Sequence, residues 1–255
     1  MSTSVLITGA SGFLGSRVLA RIPGALGWHH HRPAPNTVRV DITNASEVDR
    51  FFAEHHVDVC IHCAADPNIN SCESDPAAAH RLNVEGTRHV ARRNVRLIHI
   101  STDYVFDGAL EAYTEEDRPA PLQVYGRTKA EAEAIAAAAP GSLIVRLPLL
   151  YGPEFAAKLR TGEEVTLDDT ALRQPTHVDD VAEILARLVD TNVTGILHVA
   201  ANKGTTKYQW ALRHAPDASK IHRAPPVPNR PLGSWLSTDK LESLQLGVRL
   251  RTFDE

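Results

Sequence analysis

The sequence predicts an α/β fold, a doubly wound parallel sheet with a small C-terminal lobe. Three observations carry the prediction. Short apolar runs of strand type alternate with helix-period segments from Val5 to Leu147. A glycine-rich turn, Thr8 to Gly15, stands between the first strand and the first helix. After Tyr151-Gly152 the alternation weakens and the chain becomes richer in proline. Strands separated by helices pair in parallel through right-handed crossovers.

The elements follow in order. Val5-Leu6-Ile7 is the first strand. Phe13, Leu14, Val18 and Leu19 give the helical spacing behind it, which ends near Pro23-Gly24. Ala25 to His29 and Thr37 to Val40 are the next two strands, and Ala45, Val48, Phe51, Phe52 and His55 form one helix face. Val57 to Cys63 is a strand that ends in small residues, Ala64-Ala65. A helix is predicted from about Asp75 to Arg92, then a strand from Val95 to Ser101. A strong helix runs from Ala130 to Ala139 behind Tyr125 to Lys129, and a sixth strand from Leu143 to Leu147. One helix (about Val178 to Val189) and one strand (Ile196 to Val199) read as late members of the sheet. The main domain is therefore expected over 1–152, with 176–202 returning to it. Residues 153–175 and 203–255 are left for the lobe, with Pro225 to Pro231 as a stiff surface connection.

Composition narrows the function. Of 255 residues, 43% are apolar and 23% charged, which supports a sizeable core without disulfides. Lys and Arg number 27 against 31 Asp and Glu, a net charge of −4, which disfavours a nucleic-acid or anionic-membrane partner. No apolar run is long enough to span a bilayer. Met1 to Val5 lacks the basic and apolar stretches of a signal peptide. Three cysteines, Cys60, Cys63 and Cys72, do not make a secreted disulfide framework. A cytoplasmic location is expected. No metal site is expected either. Three consecutive histidines, His29 to His31, do not converge easily on one ion. On a strand, Cys60 and His62 face away from Ile61 and Cys63, so that run reads as packing beside a cleft.

The glycine-rich turn predicts a phosphate site. Strand, turn and helix set backbone N–H groups and a positive helix end against a pyrophosphate. Gly9 permits the tight turn, Gly12 the approach of the phosphates and Gly15 the packing of helix on strand. Ser11, Phe13 and Leu14 complete the candidate cofactor loop. A dinucleotide turn that holds NAD expects an acid some 20 residues on for the ribose 2′-OH. The second strand instead ends in His29-His30-His31-Arg32. A guanidinium suits a 2′-phosphate, so NADP is expected over NAD, with His31 and Arg32 beside it. Asp41-Ile42 would border the adenine ring. Cys63, Ser101 and Leu147, at strand ends, would line the rest of the cofactor cleft, because ligands bind beyond the strand C-termini in such sheets. The fold class is thus Rossmann-type.

Tyr125 and Lys129, spaced i and i+4, share one face of a helix. A nearby ammonium lowers a tyrosine pKa, so Lys129 is expected to tune Tyr125 and to bind the nicotinamide ribose. Thr102, at a strand end, is placed to hydrogen-bond a carbonyl. Together they read as the catalytic set of a carbonyl reductase, with hydride from NADPH and the proton from Tyr125. Asp103, Tyr104 and Phe106 on the following loop are candidate substrate contacts, as are Arg173 and His177. Arg173 would reach a phosphate or hydroxyl; His177 would touch substrate or make a structural hydrogen bond.

These residues resemble the extended short-chain dehydrogenase/reductase family over nearly the whole chain. Thr8 to Gly15, Ala64-Ala65, Asn83 to Thr87, Ser101 to Gly108, Tyr125 to Lys129 and Tyr151-Gly152 match its landmarks in order. Ile100 to Gly108, Val124 to Lys129 and Pro175 to Asp180 look like the dTDP-4-dehydrorhamnose reductase branch. That branch also includes the regulatory β subunit of methionine adenosyltransferase. The resemblance implies that Asn83, Ala64 and Ala65 line the cofactor cleft, and that Thr102, Tyr125 and Lys129 act as argued above. It also implies dimerisation through the helices at 75–92 and 130–139, although a monomer is equally compatible with the sequence. Related 4,6-dehydratases carry Asp-Glu after the threonine; here Asp103 is followed by Tyr104, which favours simple ketone reduction. The segment Pro153 to Gln174 is short for the branch, and Asp66 to Asn70 lacks its signature. The expected substrate is a 4-keto-6-deoxysugar nucleotide. A smaller carbonyl, or no turnover in an NADP-binding regulatory subunit, are the alternatives.

Overall fold

The computed structural model describes residues 3–225 and 227–254. Its strands are β1 (Val5–Thr8), β2 (Leu26–His29), β3 (Thr37–Arg39), β4 (Val59–His62), β5 (Arg96–Thr102), β6 (Leu143–Leu147), β7 (Leu150–Tyr151), β8 (Val165–Leu167), β9 (Thr176–His177), β10 (Gly195–His198) and β11 (Ile221–Arg223). Its helices are α1 (Gly15–Arg21), α2 (Ala45–Glu54), α3 (Ile69–Ser74), α4 (Pro76–His80), α5 (Gly86–Ala91), α6 (Val124–Ala137), α7 (Pro153–Leu159), α8 (Val178–Leu188), α9 (Lys207–His214) and α10 (Asp239–Ser243). Seven strands form one sheet in the order β10-β6-β5-β4-β1-β2-β3, every pair parallel. The order reverses between β1 and β4, and ligands of such sheets bind in the crevice beyond that point.

Both faces of the sheet are covered, which is why β1, β4 and β6 are buried along their whole length. On one face Ile7, Ile61 and Val145 pack with Val18 of α1 and with Val181 and Leu185 of α8. On the other, Leu6, Cys60 and Ile144 pack with Val48 and Phe51 of α2, Val90 of α5 and Ala136 of α6. The alternation of Cys60 and Ile61 between the two cores is the strand period expected of that run.

Two differences from the sequence reading have physical reasons. The single helix expected over 75–92 is broken: Asp75 caps α4, Pro76 takes its first turn, and residues Arg81–Glu85 widen into a π-turn before α5. The lobe does not take all of 203–255. The β8–β11 pair, α7 and α9 form it around Leu159, Ala211 and Ile221. Leu241 of α10, with Leu244, Leu246, Val248 and Leu250, instead packs beside α8 in the main core. In the proline-rich connection, Pro225 and Val227 to Asn229 are exposed but Pro231 is buried; Pro226 lies outside the described residues.

Candidate active site

The glycine turn closes on itself through Gly12 N donating to Gly9 O (2.9 Å) and Ser16 N to Gly12 O (3.1 Å). Gly9 has φ +64°, and a Cβ there would stand 2.9 Å from the Ala64 backbone. A Cβ on Gly15 would stand 2.3 Å from Gly9 O. Neither position has room for a side chain, so the ends of β1 and β4 and the start of α1 meet backbone to backbone. His62 fastens the same corner. Thr87 Oγ1 donates to Asn83 O and so accepts from His62 Nε2 (3.1 Å), leaving His62 Nδ1 to accept from Thr8 Oγ1 (2.7 Å). Thr8 Oγ1 in turn accepts the Ala64 N–H. Burial, with the Lys129 charge, pushes the His62 pKa down to about 3, so the ring stays neutral and this hydrogen-bond order holds.

A cleft of about 600 Å³ runs from this turn to the lobe. Gly9, Gly12, Phe13, Leu14 and Gly15 wall one end, with Arg32 at the rim. Thr102, Tyr125 and Lys129 wall the middle, and Arg173 and Lys207 the lobe end. Among the described residues the exposed Arg32 makes no ion pair or hydrogen bond, and no acid stands at the end of β2. This arrangement fits a nicotinamide dinucleotide: a turn whose three glycines leave its backbone open to the phosphates, a free guanidinium near the adenosine end, and a continuous groove to the tyrosine.

Tyr125 opens α6, and Tyr125, Lys129 and Glu133 form one buried stripe, a turn apart, against the sheet. Lys129 is 2% exposed. Its Nζ donates to Ile100 O (2.7 Å) and lies 3.2 Å from His99 Nε2. Burial holds its pKa down to about 8, with Glu133 opposing. The Tyr125 ring packs edge-on against Tyr104 (6.1 Å between centroids), and burial raises the phenol's pKa, with the Thr102 hydroxyl opposing. This corrects the expectation that Lys129 tunes Tyr125: the lysine is turned to the carbonyl and imidazole of β5, and desolvation governs the phenol. Tyr125 therefore stays protonated at neutral pH, the state a proton donor needs. Thr102 accepts from Tyr104 N (3.2 Å) and sits against Asp103.

Arg173 is engaged within the protein. It meets Asp103 (3.2 Å), the Tyr104 hydroxyl (3.1 Å) and Pro231 O (3.0 Å), with its guanidinium 4.5 Å over the Tyr104 ring. It lines the cleft while fastening lobe to sheet. Cys63, Ala65, Ser101, Asp103, Tyr104 and Leu147 also line the cleft.

The remaining sequence candidates lie off its walls. Ser11 and Ala64 are in the turn and behind it. His31 is exposed and its ring lies tilted against that of His30 (3.8 Å between centroids), while His30 faces Asp41 (3.6 Å). Asp41 holds Thr43, and Ile42 packs against Gly86, because β3 turns into α2 there. Asn83 is a brace: its Oδ1 accepts from Asp66 N (2.8 Å) and its amide donates to Thr128 Oγ1 (3.0 Å), joining the loop after β4 to α6. Phe106 is fully buried, stacked on Tyr113 (4.0 Å) and under Arg146. His177 caps α8 through Asp179 N (3.2 Å) and receives Arg251 (3.0 Å), so it faces the C-terminal segment.

Sequence reading missed Lys207. It begins α9 behind its cap Thr206 and reaches the cleft, near Arg173 and Arg230. A lysine in the first helical turn opposes the helix dipole, and that local conflict was the available signal. It also missed Glu133, which binds Arg146 through two oxygens (3.0 and 2.8 Å) and accepts from Ser101 (2.5 Å). An arginine inside the apolar run Leu143 to Leu147 signalled that pair. Among the described residues no cluster could hold a metal ion, and no helix is long and apolar enough to cross a membrane.

A family model described as the RmlD substrate binding domain matches residues 3–255. The chain belongs to the RmlD substrate-binding family. Through it the chain is a member of the extended short-chain dehydrogenase/reductases, an oxidoreductase-type family. A dTDP-4-dehydrorhamnose reductase from Bacillus anthracis, solved in complex with NADP, superposes with a TM-score of 0.85 at 26% identity, covering 99% of this chain and 96% of that one. The chain is also similar to methionine adenosyltransferase 2 subunit beta of Rattus norvegicus, 34% identical over 283 residues, 97% of this chain and 84% of that protein. That aligned span is longer than this chain, so the relative carries residues absent here. A probable low-salt glycan biosynthesis reductase of Haloferax volcanii is 35% identical over 225 residues, 78% of this chain and 75% of that protein.

Proposed function

We propose that the chain is an NADPH-dependent reductase of a ketone, and that the ketone is a 4-keto-6-deoxysugar nucleotide. One observation carries the reading: Thr102, Tyr125 and Lys129 wall the same cleft as the glycine turn. When bound, NADPH supplies the hydride. Gly9 to Gly15 would hold its pyrophosphate, Arg32 its 2′-phosphate and Lys129 its ribose. Thr102 and Tyr125 would share the substrate carbonyl oxygen, and the Tyr125 phenol, kept protonated by burial, would donate the proton. Tyr104 stands where a dehydratase would have its second acid, and it is committed to Arg173. Lys207 makes no hydrogen bond or ion pair among the described residues, which suits an anionic substrate.

NADPH oxidation with a dTDP-4-keto-6-deoxyhexose, run beside smaller ketones, tests this reading. Tyr125→Phe should lose turnover by about 10²–10⁴-fold while NADPH still binds. Arg32→Ala should weaken NADPH by about tenfold or more and leave NADH unchanged, by loss of a charge-assisted contact. Turnover that survives in Tyr125→Phe would sink the assignment of the acid. The identity to a β subunit favours a second reading, a subunit that binds NADPH without turning it over. Bound NADPH with no oxidation by any ketone would select it.

A further inference from the structure

We propose that His99 is a positioning residue for Lys129: its Nε2 accepts one N–H of the ammonium, Ile100 O accepts a second, and the third is thereby aimed into the cleft. The inference deepens the reductase reading and rests on it for its consequence, not for its test.

The geometry is local and closed. β4 pairs with β5 as far as His62 opposite His99, and Ile100 lies one residue beyond, where its carbonyl accepts from Lys129 at 2.7 Å. His99 Nε2 is 3.2 Å from the same Nζ, and the ring is fully buried. An ammonium has three donors and no acceptor. Two fixed acceptors from one strand leave a single direction for the third, and Lys129 is a wall residue of the cleft. An acceptor role for Nε2 places the His99 proton on Nδ1, which is buried without a partner among the described residues. A histidine in the middle of Leu97-Ile98-His99-Ile100 packs no better than leucine would and leaves a polar atom unsatisfied. That disadvantage is offset by the contact with Lys129.

The charged and titratable groups that face Lys129 are few. His62 ends β4 and Cys63 follows it, His99 comes from β5, and Tyr125 and Glu133 from the turns of α6 before and after Lys129. Arg146 of β6 lies behind Glu133 and is neutralised by it. Desolvation keeps His99 and His62 uncharged, so they present lone pairs and ring N–H groups but no repulsive charge at neutral pH.

The test reads Lys129 directly. The ¹³Cε resonance of Lys129 is titrated in the full chain, in wild type, His99→Leu and His99→Gln. Wild type should titrate near 8. Losing the acceptor should lower the midpoint in His99→Leu by about one pH unit, a tenfold shift in the equilibrium. Glutamine restores an acceptor at similar reach and should restore the midpoint. An unchanged midpoint in folded His99→Leu overturns the proposal. Should the leucine variant fail to fold, the ¹⁵N shifts of the wild-type His99 ring decide. An unprotonated Nε2 below the lysine midpoint supports the proposal, and a protonated Nε2 there overturns it. In turnover, the alkaline limb of kcat/KM should move down with the lysine in His99→Leu and return in His99→Gln. A wild-type protein that reduces no carbonyl would remove the reductase reading and leave the titration to judge His99 alone.

Discussion

At the scale of the residue, Lys129 sets function against stability. Its pKa is near 8 in the folded chain and 10.5 when exposed, because burial disfavours the charged form. The unfolded chain therefore binds more protons between those values, and stability rises with pH across that window. Below about 8 the destabilisation is fully present. Lys129→Met should accordingly melt higher than wild type at pH 7, and the difference should shrink toward pH 10, as followed by thermal unfolding. A Tm gap that does not change with pH would show that packing, not charge, sets it. That Thr102, Tyr125 and Lys129 line one cleft was legible in the sequence, because residues at i and i+4 share a helix face and Thr102 ends a strand of the sheet. His99 and Lys207 were not, because their roles depend on which atoms face them across the sheet and from the lobe. Phe106 was misread for the same reason: nearness along the chain to the site put it in the list, and packing turned it away, while His177 took the structural hydrogen-bonding role that the sequence left open beside a substrate contact.

At the scale of the element, α6 carries Tyr125, Lys129 and Glu133 on one stripe, with Gly126 pressed so closely on the 103–105 turn that a Cβ would stand 2.2 Å from Tyr104 O. Glu133 joins the helix to Arg146 of β6 and to Ser101, the neighbour of Thr102. Both side chains of the pair are almost fully buried, at 6% and 1% exposure. Glu133→Gln leaves the arginine charge without its counterion, and breaking a buried pair this way costs about 3–5 kcal/mol. Denaturant unfolding should show that loss, and a change below about 1 kcal/mol would mean that the pair is worth no more than a surface contact. The sheet's strands and α2 were readable from periodicity alone. The break between α4 and α5 was not, because a π-turn differs from an α-helical turn by a single residue and Arg81–Glu85 carries no breaker residue to announce it.

At the scale of the whole molecule, Arg173 fastens the lobe to the sheet. It neutralises Asp103, whose pKa burial raises and Arg173 opposes. Arg173→Met should destabilise the chain by about 3–5 kcal/mol at neutral pH. The Asp103 pKa would rise further without its partner, so the folded state would bind the extra proton and the loss should be smaller near pH 4–5 than at pH 7. Thermal unfolding at both pH values checks the sign. The β8–β11 pair and α7 lie beyond Gly152, where the strand–helix pattern of the sequence weakens. The return of α10 to the sheet was not legible there, since its short apolar spacing looks the same whichever core receives it.

The central position of β1 has a consequence in time. β1 lies between β2 and β4, and the turn after it is completed by the Ala64 backbone and by the bond between Thr8 and His62, groups separated by 54 residues of chain. A ribosome-bound fragment that has emerged only through α2 would already carry every glycine of the turn, yet would leave β1 with an open edge and Gly9 with nothing behind it. The capacity to hold a nucleotide should therefore lag well behind the appearance of the N-terminal hairpin of strand and helix, and refolding followed by NADPH fluorescence should report the docking of β4 rather than the formation of the turn itself.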